Sequence, residues 1–329
     1  MTTDSAAMLP PRTLAIAPMM NRTDRHFRFL MRLITRRTWL YTEMVVARGL
    51  VFGDAGKLLR YRAEEHPLAL QVGGHEPEIL AQAARLAQAY GFDEINLNIG
   101  CPSPRVSAGR MGACLMAEPE RVADCVAAMR EVSSLPVTVK TRLGIDHDDS
   151  MEFLSRFVET VAAAGCRTFI VHARKAWLDG VSPKANRNVP PLDYGRVAEL
   201  KRRYPALEIL VNGGVADLDS TAELLRGVDG VMLGRAAYAQ PMLLAAVDVR
   251  FYGEAGAASR RAQVLTGYVA YLRECVARGE KLGPALRHVP SVLGGLPGAR
   301  RVRARLGALA GSQDVDGVER ALIPLLETA

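Results

Sequence analysis

The chain has 329 residues, is 49% hydrophobic, contains five cysteines and carries a net charge of +7 with a pI of about 9.3. That size suits one large domain with a small appendage, and no apolar run approaches the roughly 20 residues of a membrane span. An odd cysteine count without a CxxC pair speaks against a structural zinc site or a disulfide framework, and the basic balance favours anionic partners without naming one.

The segment Met1–Pro11 lacks the apolar stretch of a signal peptide. A soluble cytoplasmic protein is therefore expected, without a membrane partner or a bound metal. Eight short apolar runs then read as strands: Thr13–Met19, Trp39–Val45, Leu68–Gly74, Glu94–Cys101, Pro136–Gly144, Thr168–Arg174, Glu208–Gly214 and Gly230–Ala236. Most are continuous rather than alternating, the pattern of strands buried on both faces of a parallel sheet.

Helical patterns fill the gaps. Glu76–Tyr90 and Pro119–Val132 carry Pro and Glu in the first turn, as helix starts do. Asp149–Ala163, Asp193–Tyr204, Asp219–Leu225 and Pro241–Val249 follow, while Asp24–Thr35 and Arg48–Glu64 occupy the first two gaps. Eight strands alternating with helices imply an α/β fold, the (β/α)8 TIM barrel. A doubly wound open sheet usually shows a GxGxxG turn after its first strand. Here that strand ends in Pro18-Met19-Met20-Asn21 instead.

After about residue 250 the strand pattern stops, and two domains are expected, 1–250 and 251–329. The second reads as helices at Arg260–Arg278, Ala285–Leu293, Ala299–Ala308 and Val315–Leu326. It holds 11 Lys+Arg against 7 Asp+Glu, with no acid from Lys281 to Gln313. Such a stretch reads either as a solvated helix face or as a cationic patch for a phosphate backbone.

Barrel enzymes carry their sites at the C-terminal ends of the strands. Those ends offer Pro18, Met19, Met20, Glu43, Gln71, Asn96, Asn98, Cys101, Lys140, Arg142, His172, Arg174, Asn212, Gly213, Gly214, Gly234 and Arg235. Alone, Gln71 reads as a satisfied core amide and His172 as a core histidine. Their shared place at one rim favours a site, because polar groups in apolar runs are costly when buried. Loops after the seventh and eighth strands commonly bind phosphate, and Asn212-Gly213-Gly214 with Gly234-Arg235 suit that task. Lys140 reads as a Schiff-base lysine or as a cation beside a reduced flavin. Taken with Gln71, His172 and a phosphate site, the second reading favours flavin mononucleotide. Cys101 opens what reads as a flexible segment, Ser103–Gly112, and its rim position argues for chemistry over a buried structural thiol.

Strung in order, these pieces resemble the tRNA-dihydrouridine synthase family, and within it the A subgroup. The resemblance rests on Ala17-Pro18-Met19-Met20, Leu70-Gln71-Val72-Gly73-Gly74, Asn96-Leu97-Asn98-Ile99-Gly100-Cys101-Pro102-Ser103, Val139-Lys140-Thr141-Arg142-Leu143-Gly144, Val171-His172-Ala173-Arg174, Asn212-Gly213-Gly214 and Leu233-Gly234-Arg235. It runs from about Leu14 to about Tyr252 and more weakly beyond. It implies FMN contacts at Pro18, Met19, Met20, Gln71, Lys140, His172, Asn212, Gly213, Gly214, Gly234 and Arg235, and Cys101 as a proton donor. It implies tRNA contacts at Lys184 and Arg187, Asn98 near the target base, and Arg300 and Arg303 in a helical tRNA-binding domain. It further implies NADPH as reductant and D-loop uridines at positions 20 and 20a as targets; a monomer is expected besides.

The chemistry that follows is reduction of a conjugated enone: hydride from flavin N5 to C6 of uracil, and a proton to C5. A cysteine thiol is ordinarily protonated near neutral pH and serves as a general acid. The target base must leave its stack, at a cost of a few kcal/mol that phosphate contacts offset. A flavin barrel acting on a free pyrimidine, a Schiff-base lyase using Lys140, and a non-catalytic RNA-binding module are the competing readings; a free pyrimidine would need no basic tail. Replacing both Arg300 and Arg303 by alanine is expected to raise the apparent KM for tRNA and flatten its dependence on salt. An unaltered salt slope would place the phosphate contacts elsewhere.

Overall fold

The strands of the sheet are short and, apart from Val45–Val46, almost wholly buried, because helices cover one face and the barrel interior closes the other. The computed structural model describes residues 11–326. The ends of the expected domain spans, 1–10 and 327–329, lie outside the described residues. The strands are β1 (Leu14–Ile16), β2 (Leu40–Tyr41), β3 (Val45–Val46), β4 (Leu68–Gly73), β5 (Glu94–Asn98), β6 (Val137–Arg142), β7 (Thr168–His172), β8 (Glu208–Asn212) and β9 (Gly230–Leu233). All neighbours are parallel, in the order β1-β9-β8-β7-β6-β5-β4-β2, with β3 also on β4. A parallel bridge between Ala15 and Trp39 joins β1 to the start of β2 and closes the ring. This is the expected TIM barrel.

The second expected strand, Trp39–Val45, is broken into β2 and β3. Thr42 is the cause: its hydroxyl takes the Gln71 N–H at 3.0 Å and donates to the Glu43 carbonyl at 2.8 Å, so a side chain replaces a rung of the ladder. The helix expected at Arg48–Glu64 is likewise three pieces, Ala47–Phe52, Ala55–Leu58 and a 3-10 turn at Ala63–Glu65. Asp54 caps the second piece and so ends the first. Ser103–Gly112 is not an irregular loop. It holds a helix at Pro104–Ala108 that leads into a 3-10 segment at Gly112–Ala117.

The covering helices begin where side chains cap them. Asp24, Ser150, Asp193 and Asp217 accept backbone N–H bonds at the starts of Arg25–Ile34, Met151–Ala163, Tyr194–Arg203 and Leu218–Leu224. Among the described residues no helix is long and apolar enough to cross a membrane. The expected boundary after residue 250 falls within the helix Val247–Tyr252, where the Tyr252 hydroxyl accepts the Leu14 N–H of β1 at 3.0 Å. Beyond it, the helix Arg261–Ala277 lies against Arg25–Ile34, with Phe29 and Tyr271 stacked at 4.1 Å. Ala285–Leu293, expected as one helix, is two short turns, Gly283–Leu286 and Val289–Val292.

Successive side chains of a strand point to opposite faces. One set, including Leu14, Ile16, Leu68, Leu70, Ile95 and Leu97, packs outward under the helices. The other faces the axis: Ala15, Ala17, Trp39, Tyr41, Ala69, Ile170, Leu210 and Met232 form a small interior core. Polar groups share that interior at the N-terminal floor. Glu94, fully buried, takes Arg12 Nε at 2.7 Å, the Tyr41 hydroxyl at 2.8 Å and the Thr138 hydroxyl at 2.5 Å. Arg12 reaches on to Glu208 at 3.0 Å and lies over the Trp39 ring at 4.3 Å. Burial works against the charge of Arg12, but Glu94 and Glu208 overcome it and hold the guanidinium above its ordinary value. Glu94→Ala is expected to lower the unfolding free energy by about 3–5 kcal/mol in urea denaturation, since it takes from Arg12 its fully buried partner, leaving only Glu208, and deprives the Tyr41 and Thr138 hydroxyls of their acceptor. A loss under about 1 kcal/mol would show that the floor relaxes to solvate Arg12.

Candidate active site

Cys101 follows β5 on a loop whose peptide groups are held from three sides. Asn98 Oδ1 accepts the N–H groups of Gly100 at 3.2 Å and Cys101 at 3.0 Å. Arg142 Nε donates to the Gly100 carbonyl at 2.8 Å, and the Ala113 N–H to that of Cys101 at 2.9 Å. Gly112 has φ +77°, and a Cβ there would lie 2.4 Å from the Cys101 oxygen, so the chain passes close only because no side chain is present. Cys101 itself stays half-buried, whereas Cys125, Cys166 and Cys275 are buried. Burial pushes the Cys125 and Cys166 thiols up to about 12, which suits structural roles.

Across the mouth stand the cations. Lys140 on β6 donates to Asn212 Oδ1 of β8 at 3.0 Å, and Asn212 in turn donates to the Met232 carbonyl at 2.7 Å. Burial, with Arg142 adding repulsion, pushes Lys140 down to about 7. His172 on β7 is held well below its ordinary value, first by burial and then by Arg142, Lys140, Arg174 and Arg235. The charges that act most strongly on these two residues are cationic, save the Cys101 thiol, and none is a carboxylate. Gly213 (φ +114°) and Gly214 (φ +70°) bring the backbone against the ring and beneath Leu192. A Cβ on Gly213 would sit 2.6 Å from His172 Cδ2. Arg174 is 9% exposed and its Nε is buried without a hydrogen-bond partner. A mouth built of cations and open glycine backbone, with a donor to spare, fits an anionic ligand carrying a phosphate.

The structure brings Gln71, Asn98, Cys101, Lys140, His172, Asn212, Gly213 and Gly214 to this one rim. Gln71 is buried, donating to Asn96 at 2.8 Å and accepting from Asn98 at 2.9 Å. Asn98 therefore spends its oxygen and one N–H on the protein, leaving one N–H for a ligand. Pro18 and Met19 are half-buried and Met20 is 58% exposed, on a turn held by Thr23 Oγ1 accepting the Met19 N–H at 3.0 Å. Gly234 precedes the short helix Arg235–Ala239. Arg235 donates to Asn188 Oδ1 at 2.8 Å and to the Arg187 carbonyl at 3.3 Å, drawing the segment 175–191 over the mouth. Arg187 and Lys184 are exposed on that segment. Burial, then the neighbouring Arg235 and Arg22, lowers Arg187. Arg300 and Arg303 lie apart, exposed on the helix Ala299–Leu309.

Arg142 is the residue that the strand ends offered but to which the sequence assigned no role. Besides Gly100 it reaches the carbonyls of Lys175 at 2.9 Å and Asn186 at 3.2 Å, so one guanidinium ties the cysteine loop to the segment over the mouth. Its place two residues after Lys140, on the same strand face, was the available signal.

The sequence matches the dihydrouridine synthase (Dus) family over residues 15–326. A tRNA-dihydrouridine(20/20a) synthase of Shewanella oneidensis is 52% identical over 295 residues, 90% of this chain and 88% of that one. One from Escherichia coli O6:H1 is 49% identical over 325 residues, 98% of each chain. Among solved structures, morphinone reductase in complex with tetrahydroNAD superposes with a TM-score of 0.51 at 13% identity, covering 74% of this chain and 88% of that one. At that identity the likeness speaks to the fold alone.

On unfolding, Lys140 returns from about 7 to the ordinary lysine value, so between those two values unfolding takes up a proton. The ligand-free protein is therefore expected to gain stability relative to Lys140→Met as the pH rises from 7 to 9, followed by thermal denaturation. Parallel curves for the two proteins over that window would mean that Lys140 keeps its charge in the fold.

Proposed function

The chain belongs to the dihydrouridine synthase family, and from that premise we propose that it reduces the C5–C6 double bond of D-loop uridines in tRNA. The names of its relatives point to positions 20 and 20a. The observation that carries the reading is the juxtaposition at one rim of the cations gathered about Lys140 and His172 and a half-buried cysteine on a braced loop. We take residues 1–250 as the catalytic barrel and 251–329 as a helical tRNA-binding domain.

FMN is the resident group we propose; when bound it supplies a hydride to C6 of the uracil, and NADPH is the reductant that restores it. Gly213, Gly214, Gly234 and Arg235 would hold its phosphate, and Pro18, Met19, Met20, Gln71, Lys140, His172 and Asn212 its ring system. Lys140 suits an anionic ring: the added negative charge would restore the proton that burial loosens. Asn98 offers its remaining N–H to the base, and Cys101 gives its proton to C5 as negative charge develops there. Exposed Lys184, Arg187, Arg300 and Arg303 meet phosphates of the tRNA backbone. The depressed Lys140 would equally serve a Schiff base, but family membership removes the ground for that chemistry.

The test is a visible spectrum of the purified protein, then addition of tRNA to the photoreduced sample without oxygen. Flavin bands that return with tRNA, but not with free uridine or orotate, support the proposal. Equal reoxidation by a small pyrimidine would replace tRNA with a free substrate. Cys101→Ala is expected to keep its flavin and lose most of its turnover, at least about a hundredfold for a general acid. Unchanged single-turnover reduction of tRNA in that variant would remove Cys101 from the mechanism.

A further inference from the structure

The floor of the barrel and the cysteine loop are joined by an unbroken file of hydrogen bonds through the interior. From Glu94, the Thr138 hydroxyl lies at 2.5 Å. Asn96 Nδ2 reaches Thr138 Oγ1 at 2.8 Å, and Gln71 Nε2 reaches Asn96 Oδ1 at 2.8 Å. Asn98 Nδ2 reaches Gln71 Oε1 at 2.9 Å, and Asn98 Oδ1 holds the Gly100 and Cys101 N–H groups. Glu94, Thr138, Asn96 and Gln71 are at most 1% exposed, so water cannot substitute for any of them.

Such a file has a direction. The Glu94 carboxylate, paired with Arg12, offers only acceptors. Thr138 must then spend its single proton on Glu94 and can only accept from Asn96. Asn96 must present its amide nitrogen downward and its oxygen upward. Gln71 is constrained in the same way, and so is Asn98. Reversal at any link would face the Asn98 amide N–H groups towards the N–H groups of Gly100 and Cys101, donor against donor, and the loop would lose both bonds. Satisfied core amides alone would not require one sense; the acceptor-only end and the donor-only end together do.

We propose that the Arg12–Glu94 pair on the barrel floor sets the polarity of the hydrogen-bond file through Thr138, Asn96 and Gln71, and that this file positions Asn98 and the Cys101 loop for reaction. Asn96 and Thr138 are thus positioning residues, two and three hydrogen bonds from Asn98, the acceptor of the Cys101 N–H, and touch no substrate. The inference rests on the reading of Cys101 as proton donor. Its structural half, the bracing of the loop, is measurable without turnover.

Thr138→Val in the full-length, FMN-loaded protein removes the hydroxyl at nearly constant shape. The expected result is faster alkylation of Cys101 by iodoacetamide, followed peptide by peptide in the mass spectrometer, with flavin content unchanged. The kcat for tRNA reduction falls roughly tenfold at constant KM, an effect confined to the chemical step. Thr138→Ser, which restores the proton, recovers both. Should valine at this position prevent folding, Glu94→Gln tests the same point, because an amide can donate to Thr138 and release the file to reverse; faster Cys101 alkylation is again expected. Alkylation and kcat equal to wild type in the variant that folds would overturn the proposal. A wild-type protein that fails to reduce tRNA would overturn the functional reading instead, and the alkylation rates would still report on the file.

Discussion

The carboxylate of Glu94, sealed at the floor of the barrel, meets a guanidinium and two hydroxyls at once. A lone buried carboxylate would be costly, and a pair of charges in a dry interior is seldom a net source of stability. What the arrangement provides is a polar interior that stays satisfied. With Arg12 matching Glu94 and Glu208, the inward faces of β4, β5 and β6 can carry amides and hydroxyls in place of valine and leucine. Those groups reach the opposite mouth as a continuous series, which a purely apolar interior would interrupt.

At that mouth the balance is reversed. Lys140, Arg142, His172 and Arg174 converge without a carboxylate among the charges that dominate Lys140 and His172. Their mutual repulsion and burial disfavour protonation, so the ligand-free site stores unfavourable charge that an anion would relieve. Arg142 also ties the cysteine loop to the segment 175–191 through backbone carbonyls, and Arg235 grips the same segment from the other side. Mouth and cover are thereby braced by cations that donate to carbonyl and amide oxygens.

The helical segment is locked to the first helix of the barrel. Asp24 caps that helix and also receives His288 at 3.0 Å and the guanidinium of Arg287. Burial would raise its carboxyl, but the His288 bond and the helix N–H groups hold it well below the usual range. The Tyr271 hydroxyl lies 2.7 Å from Nδ1 of His26, an imidazole that burial and Arg25 press down to about 4 and so keep neutral. Tyr238, on the helix that begins at Arg235, reaches His288 at 3.3 Å. The helical segment is therefore connected through His288 to both Asp24, at the start of the first helix, and Tyr238, on the helix that follows Gly234.

The sequence by itself determined the barrel, because strands buried on both faces show as continuous apolar runs with a helix between each, and it determined the rim, because polar residues at the ends of such runs have no cheaper explanation. Period two then aligned Gln71 with the interior and Lys140 with Arg142, within single strands. It did not reveal the break at Thr42, where a hydroxyl two elements away from its partner replaces a backbone rung, nor the helix inside 103–112. Nor did it show that Asn98 turns its oxygen to the Cys101 loop, that Arg142 bridges to Lys175 and Asn186, or that Thr138 and Asn96 link Glu94 to Gln71. All but the first of these join residues 25 to 44 apart in the chain. Only closure of the ring brings the strands to the distances at which one group's lone pair decides which way the next must point.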